Sequence, residues 1–501
     1  MDFITRFTMN GINFLSTLFV FIMGVSVLAF IAMYLIDASQ SKDAVRHNFP
    51  VVGRFRDLFT RLGEFFRQYF FALDREEMPF NRAEREWIYK SAQGRNNTLP
   101  FGSTRNLNLV GTPIFANVAF PRLDEEATNP PPVEFGPQSR NPYLASSIIN
   151  VSAMSYGALS KPAVTALSHG AKLAGCYMNT GEGGLAPYHL AGGCDVIFQI
   201  GTAKYGVRDD HGGLDDAKLA KVAAHPEVKM IEIKLAQGAK PGKGGLLPGV
   251  KVTKEVAEIR HIPVGEPSIS PNRHKEIDNV GELLDFVERV RTVSGLPTGF
   301  KTVLGSFHWL HDLCDEIERR GLDSAPDFIT LDGGDGGTGA APMSLMDNVG
   351  LPLKQALPVL TDILEQRGMR PRIRIIASGK LVTPAEVAWA YCAGADVVNT
   401  ARGFMFSIGC IQALRCHTNN CPTGVTTHKK SLQAGLDPEV KAPLVANYVE
   451  KMRKDVAMIA HSCGAPHARA LRRHNVRIQQ DDGTSIPLDE LLARQRAIME
   501  R

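Results

Sequence analysis

No sign of charge dominates this chain of 501 residues: 56 Lys and Arg stand against 52 Asp and Glu, a formal net charge of +4. The charge is spread along the chain, so nothing asks for a nucleic-acid partner. Cysteine is sparse, eight in all, and none precedes Cys176. Most of the eight stand alone in apolar surroundings. That excludes the disulfide framework of a small secreted domain and fits a reducing compartment. A Walker phosphate loop and a serine nucleophile elbow are both missing. The run GGDGGTG (333–339) satisfies G-x-G-x-x-G from Gly334 to Gly339. No helix pattern opens directly after it, which excludes the dinucleotide fingerprint. Its backbone, Gly333 and Gly334 included, is instead suited to lie close to a flat ligand.

One stretch lacks charge altogether. Residues 12–36, INFLSTLFVFIMGVSVLAFIAMYLI, are 25 uncharged residues, long enough as a helix to cross a bilayer. A signal peptide has a shorter apolar core and a small-residue cleavage site. The expectation is therefore a retained single span, with a buried soluble helix as the bland alternative. Lys42, Arg46, Arg54, Arg56, Arg61 and Arg67 follow the span, against Arg6 before it. By the positive-inside rule the large C-terminal part lies in the cytoplasm.

Residues 42–95 alternate Phe, Leu and Tyr with Arg at helical spacing. They read either as a helix packed on the main domain or as one near a membrane surface with Arg facing anionic lipid. Residues 96–146, rich in Pro, Asn and Gly, read as an irregular connector. From about 147, eight short apolar runs recur, each ending in Gly or small polar residues and followed by a helix-length segment. They are 147–154, 176–184, 195–201, 229–238, 298–306, 327–334, 373–380 and 396–403. Near-continuous apolar runs fit parallel strands buried on both faces. Eight such units argue for an α/β fold, a (β/α)8 TIM barrel with an N-terminal transmembrane helix and irregular or helical extensions. A doubly wound open sheet is the rival. The expected division is an anchor (1–40), a linker region packing on the barrel (41–146), the barrel with a cysteine loop (147–430) and a C-terminal helical extension (431–501).

Chemistry-bearing residues gather at the strand ends where barrels build their sites. The seventh run ends Ser378-Gly379-Lys380 and the eighth Ala401-Arg402-Gly403. Such ends often hold phosphate on backbone N–H groups. The connection after the fourth run is unusually long and Gly/Pro-rich, suited to a lid or a substrate-binding loop. Cys410, Cys416 and Cys421 fall within twelve residues as C-x5-C-x4-C. Positions six apart are about 240° apart on a helix, so a shared metal needs irregular chain. Three thiolates suit an iron–sulfur cluster. Zinc would take His417 or His428 as a fourth ligand, and buried thiols are the third reading.

The motifs AMSYGALS, NTGEGG, QIGTAKYGV, IKLAQGAKPGKGGLLPG, DGGDGGTGA and GCIQALRCHTNNCPTGV, in this order between about 145 and 430, together resemble the FMN-binding synthase domain of glutamate synthase. The whole chain is similar to the short, membrane-anchored FMN-binding glutamate synthase family proteins. The resemblance implies a barrel with FMN at its mouth and a [3Fe–4S] cluster on Cys410, Cys416 and Cys421. It places Met154, Ser155, Gln199 and Lys234 on the flavin ring and ribityl chain, and Gly379, Lys380, Ala401, Arg402 and Gly403 at the phosphate. Lys240 and Arg260 match family basic residues for a 2-oxo or 2-imino acid, and Glu182 an acidic residue near the flavin. Leu246 departs from the pattern, which has Gln there, and puts 2-oxoglutarate in question as the substrate.

The resemblance implies an oxidoreductase that reduces a 2-imino acid, from 2-oxoglutarate and ammonia, to an amino acid. No glutaminase cysteine and no nicotinamide domain is evident, so a separate electron donor and a separate ammonia source, such as a glutaminase subunit, are expected. The alternatives are a membrane-tethered oxidoreductase with another acceptor such as quinone, and an electron-transfer subunit. An inosine-phosphate dehydrogenase type is disfavoured, because no cysteine lies between Cys314 and Cys392.

Overall fold

Eight short apolar strands close into a parallel barrel in the computed structural model, which describes residues 3–499. They are β1 (Ile149–Val151), β2 (Met178–Asn179), β3 (Val196–Ile200), β4 (Val228–Lys234), β5 (Thr298–Thr302), β6 (Phe328–Asp332), β7 (Arg374–Ser378) and β8 (Val397–Thr400). Each falls on one of the eight runs marked in the sequence, β4 starting one residue before its run. Each pairs with its neighbour in sequence, and β8 returns to β1 with Val398 opposite Ile149. That closure removes the open-sheet rival. Every residue of β2, β3, β5, β6 and β8 is buried. Strands covered on both faces cannot alternate polar and apolar residues, which explains the continuous runs.

Helices return the chain between strands. Lys161–Ala174 is a worked case. Ser160 Oγ accepts from the Ala163 N–H, Pro162 sits in the first turn, and Gly175 closes the helix at φ 62°. One face buries Val164, Leu167, Ala171 and Ala174, each large apolar side chain contributing about 1.5–3 kcal/mol.

The connector expected over 96–146 is more ordered than its composition suggests. Val133–Phe135 and Tyr143–Ala145 form an antiparallel hairpin. Val133, Phe135 and Ala145 share a core cluster with Tyr177, Ile197, Met230, Phe328, Ile376 and Val397. Phe135 meets Phe328 edge-on at 5.7 Å. These barrel residues lie at or near strand N-termini, so the hairpin plugs that end and leaves the opposite end to form a site. Pro113–Phe115 pairs with Val476–Gln479, which pairs with Ser485–Pro487.

The barrel and its extensions form one compact unit, Ala83–Arg501; Met1–Arg82 form another. The second contains the helix Phe3–Ser39. The most apolar 18-residue window of its segment Thr5–Ser39 has a mean hydropathy of 2.6, and none of that window is buried. By length and composition it is able to cross a membrane, a test that a signal sequence also passes. Ala44–Asn48 and Arg54–Phe66 follow, the latter running into a wider π turn, Arg67–Phe71.

Candidate active site

The C-terminal ends of the strands surround a cavity with about 1000 Å³ of empty space, its open rim included. Ligand pockets range over about 300–1,000 Å³, so there is room for a large cofactor and a small substrate. Ala153, Met154 and Ser155 line it from the loop after β1, Gly181 and Glu182 from that after β2, and Gln199 from β3 itself. The long β4–β5 connection forms one wall. Within it Leu246–Leu247 pairs with Ser268–Ile269, and helix Lys254–Arg260 starts on Thr253, whose Oγ1 accepts from the Val256 N–H. Arg260, the last residue of that helix, reaches the cavity.

Charge on the wall is lopsided. Lys234, Lys240, Lys251, Arg260, Lys301 and Arg402 face one carboxylate, Glu182, among the described residues. Lys234 Nζ lies 3.1 Å from Glu182 Oε1 and donates to Gln237 Oε1 at 3.0 Å. Burial pushes the Glu182 pKa up, but the charges of Lys234, Lys240 and Arg260 more than offset it, leaving the carboxyl below its usual range. Gly245 permits this placement, since a Cβ there would lie 2.3 Å from Glu182 Oε1. Lys301 is paired differently, with Asp332 at 3.2 Å.

Lys240 and Arg260, each 4% exposed, form no ion pair of their own among the described residues. No acceptor lies on Lys240 Nζ among the described residues. Its pKa is brought down to about 8, mainly by burial and then by the charge of Lys234. Arg260 makes long contacts, Nη1 to Ser268 Oγ at 3.3 Å and Nη2 to Tyr156 O at 3.2 Å and Ser155 Oγ at 3.4 Å. Its Nε is buried with no acceptor, and its guanidinium stacks 5.2 Å from the Tyr205 ring centre. Buried cations without counter-charges are costly and suited to an incoming anion.

Beneath the mouth, Glu232 is fully buried inside the barrel. Its Oε1 accepts from Gln199 Nε2 at 2.6 Å and Asn179 Nδ2 at 2.8 Å, and its Oε2 from Thr330 Oγ1 at 2.5 Å. It fixes the orientation of Gln199. Asp332 accepts from the Gly238 N–H at 3.0 Å and ties the β4 loop to β6. Sequence reasoning named neither acid. Their signal is a carboxylate inside an otherwise apolar strand, which only a buried network tolerates.

Of the residues marked in the sequence, Met154, Ser155, Glu182, Gln199, Lys234, Lys240, Arg260, Ala401, Arg402 and Cys416 share this wall. Gly333, Gly334, Gly379, Lys380, Gly403, Cys410 and Cys421 do not belong to it. Gly379, at φ 125°, abuts the β6 loop: a Cβ there would lie 3.0 Å from Gly333 N. Gly403 faces Tyr448, whose hydroxyl would be 2.2 Å from a Cβ. Packing alone requires glycine at 403. Arg402 Nη2 donates to Thr338 O at 2.6 Å, and Nη1 lies 3.9 Å from Cys416 Sγ.

The cysteine loop is irregular, with Gln412, Leu414 and Asn419 at positive φ. Tyr89 OH donates to Cys410 O at 2.7 Å, and Lys251 Nζ to Ala158 O at 2.6 Å and Cys416 O at 3.3 Å. All three cysteines are free thiols. Burial pushes Cys410 up to about 11. Among the described residues no three His, Cys, Asp or Glu side chains converge into a metal-holding group. The donor chemistry nonetheless fits an iron–sulfur cluster: three soft ligands on irregular chain, with Arg402 and Lys251 alongside to balance negative charge. His428 Nε2 is engaged with Gly157 O at 2.9 Å.

A family model described as the conserved region in glutamate synthase matches residues 122–466. The chain belongs to the glutamate synthase family. It is an oxidoreductase. The glutamate synthase large subunit-like protein YerD of Bacillus subtilis is 39% identical over 94% of this chain and 96% of its own length. The archaeal glutamate synthase [NADPH] of Methanocaldococcus jannaschii is 34% identical over 66% of this chain and 62% of its own. The match thus spans about three fifths of that archaeal relative. Among solved structures, the flavin-binding domain of baker's yeast flavocytochrome b2 superposes with a TM-score of 0.46 at 13% identity, over 83% of this chain and 84% of that one.

Proposed function

We propose that the cavity holds FMN and a 2-imino acid formed from 2-oxoglutarate and ammonia, and that the product is an amino acid. The observation that carries this reading is the wall of six cations around one carboxylate, with Lys240 and Arg260 buried and in no ion pair of their own among the described residues. Such a wall selects an anion, and two separated cations suit a dicarboxylate. FMN, when bound, supplies the hydride. In this reading Met154, Ser155, Gln199 and Lys234 hold its ring and ribityl chain. Gly333 and Gly334 lie near it, and Gly379, Lys380, Ala401, Arg402 and Gly403 surround its phosphate. Lys240 and Arg260 bind and orient the substrate carboxylates. Glu182, kept ionised by its cations, is the group placed to accept or hold a proton at Oε1 or Oε2. Cys410, Cys416 and Cys421 would hold a [3Fe–4S] cluster, which would supply one-electron redox chemistry toward a separate donor, and ammonia comes from solution or a glutaminase partner.

The apolar N-terminal helix is a retained single span in this reading, with the barrel on the cytoplasmic side and its positive flank at the inner surface. Leu246, 41% exposed on the cavity wall, favours a second reading in which the acceptor is less polar, such as a quinone. One experiment separates the two. The solubilised protein is photoreduced without oxygen, 2-oxoglutarate and ammonium are added, and flavin absorbance is followed. Reoxidation with glutamate formed supports the synthase reading. Flavin that stays reduced until quinone is added overturns it.

A further inference from the structure

The apolar N-terminal helix ends in an elbow. Asp37, 1% exposed, accepts from Arg54 Nε and Nη2 at 2.7 Å each and from the Val51 N–H at 3.0 Å. Arg46 adds a second tie, to Asp57. Gly53 makes the bend tight, since a Cβ there would lie 3.0 Å from the carbonyl oxygens of Phe49 and Val45. Asp37 is two residues from the end of the span at Ser39. Helix Arg54–Phe66 therefore begins at the depth where the span leaves the bilayer.

At about 100° per residue, Phe55, Leu58, Phe59, Leu62, Phe65 and Phe66 fall on one arc of about 120°. All six are exposed, from 38% to 65%. Tyr69, Phe70 and Phe71 extend the apolar surface through the π turn. Arg54 and Arg61 follow one edge of the arc and Arg56 the other, with Asp57 toward the far side. Long cationic side chains at the edges of an apolar face place their charge at headgroup level while the face sinks below it.

We propose that Arg54–Phe71 is a membrane-interface element. Its aromatic face enters the acyl boundary of the bilayer that Thr5–Ser39 spans, Arg56 and Arg61 take the phosphates of anionic lipids, and the Asp37–Arg54 clamp sets its orientation. The inference rests on the span reading above, and the test separates the two. The chain's tryptophans, Trp87, Trp309 and Trp389, all lie outside residues 1–82, so their emission is a common background. Full-length Leu28→Trp, Phe59→Trp and Thr60→Trp proteins are placed in nanodiscs of phosphatidylcholine carrying brominated acyl chains, with and without phosphatidylglycerol. The expected result is loss of the added emission at positions 28 and 59 and its retention at 60. Quenching at 59 should deepen with phosphatidylglycerol, and Asp37→Asn should narrow the difference between 59 and 60. Quenching at 28 with none at 59 overturns the interface element and leaves the span standing. No quenching at 28 overturns the span itself. A 59–60 difference unchanged by Asp37→Asn removes the clamp from the proposal.

Discussion

Binding of 2-oxoglutarate should draw a proton from solution onto Lys240. Burial, then the charge of Lys234, lowers this lysine from 10.5 to about 8, against an opposing pull from Glu182. Between about pH 8 and 10.5 the unfolded chain holds a proton that the folded chain has released, so this group makes stability rise with pH across that window. Below pH 8 the buried ammonium costs on the order of 3 kcal/mol. A carboxylate set against it reverses that cost. One charge-assisted hydrogen bond contributes about 1.5–3 kcal/mol, which raises the lysine pKa by about 1 to 2. At pH 9 the free protein has about a tenth of Lys240 protonated and the complex about half to nine tenths, an uptake of about 0.4–0.8 proton. At pH 7 uptake should be near zero. Affinity should fall about 10-fold or more from pH 7 to 10. Calorimetric titration in buffers of different protonation enthalpy measures the uptake directly. Lys240→Gln should bind weakly with no such linkage. An affinity flat from pH 7 to 10, or a linkage that survives Lys240→Gln, refutes the assignment of this lysine to the anion.

Other substitutions test the remaining parts of the site. Arg260→Met removes a buried cation whose Nε has no acceptor, so 2-oxoglutarate affinity should drop about 10- to 100-fold while thermal unfolding shows Tm unchanged or raised. Leu246→Gln restores the polar group of the family pattern and should lower KM for 2-oxoglutarate about fivefold, one neutral hydrogen bond's worth, in steady-state assays. Gly238→Ala puts a Cβ 2.0 Å from the Gly333 carbonyl oxygen, and backbone on both sides leaves it no room. Overpacking of this kind costs about 1–3 kcal/mol and should show as a lower Tm and reduced FMN content. Cys416→Ser should abolish the paramagnetic signal expected of the proposed cluster and lower iron content, with FMN retained.

The barrel was legible because its strands are covered on both faces, so each wrote itself as a near-continuous apolar run ended by glycine or small polar residues. The hairpin Val133–Phe135/Tyr143–Ala145 was not legible. Its strands are three residues long, too short for a period to show among Pro and Asn, and what holds them is a plug contact with Phe328 nearly 200 positions away. The aromatic-arginine segment was legible as amphipathic, but not the elbow that orients it. That bend depends on Asp37 meeting Arg54 across a turn, and a single acid at the end of an apolar run carries no such message.

The site shows the same division more sharply. Lys240 and Arg260 could be marked from their motif, but their lack of counter-ions is a property of every other chain segment that reaches the mouth. Glu232, Asp332 and Lys301 stand among apolar residues of their strands, and only closure of the barrel turns them into the support beneath Gln199 and the β4 loop. Gly403 teaches the converse. It sits in a motif that reads as phosphate-binding, yet the hydroxyl of Tyr448 already demands a glycine there. A glycine in a functional motif thus has two independent causes, and Gly403→Ala would disturb both packing and cofactor retention. Arg402 separates them better. Its guanidinium contacts Thr338 O and the Met405 sulfur and approaches Cys416 Sγ, all three on the cavity wall. Its loss should therefore reach the cofactors before it reaches the fold.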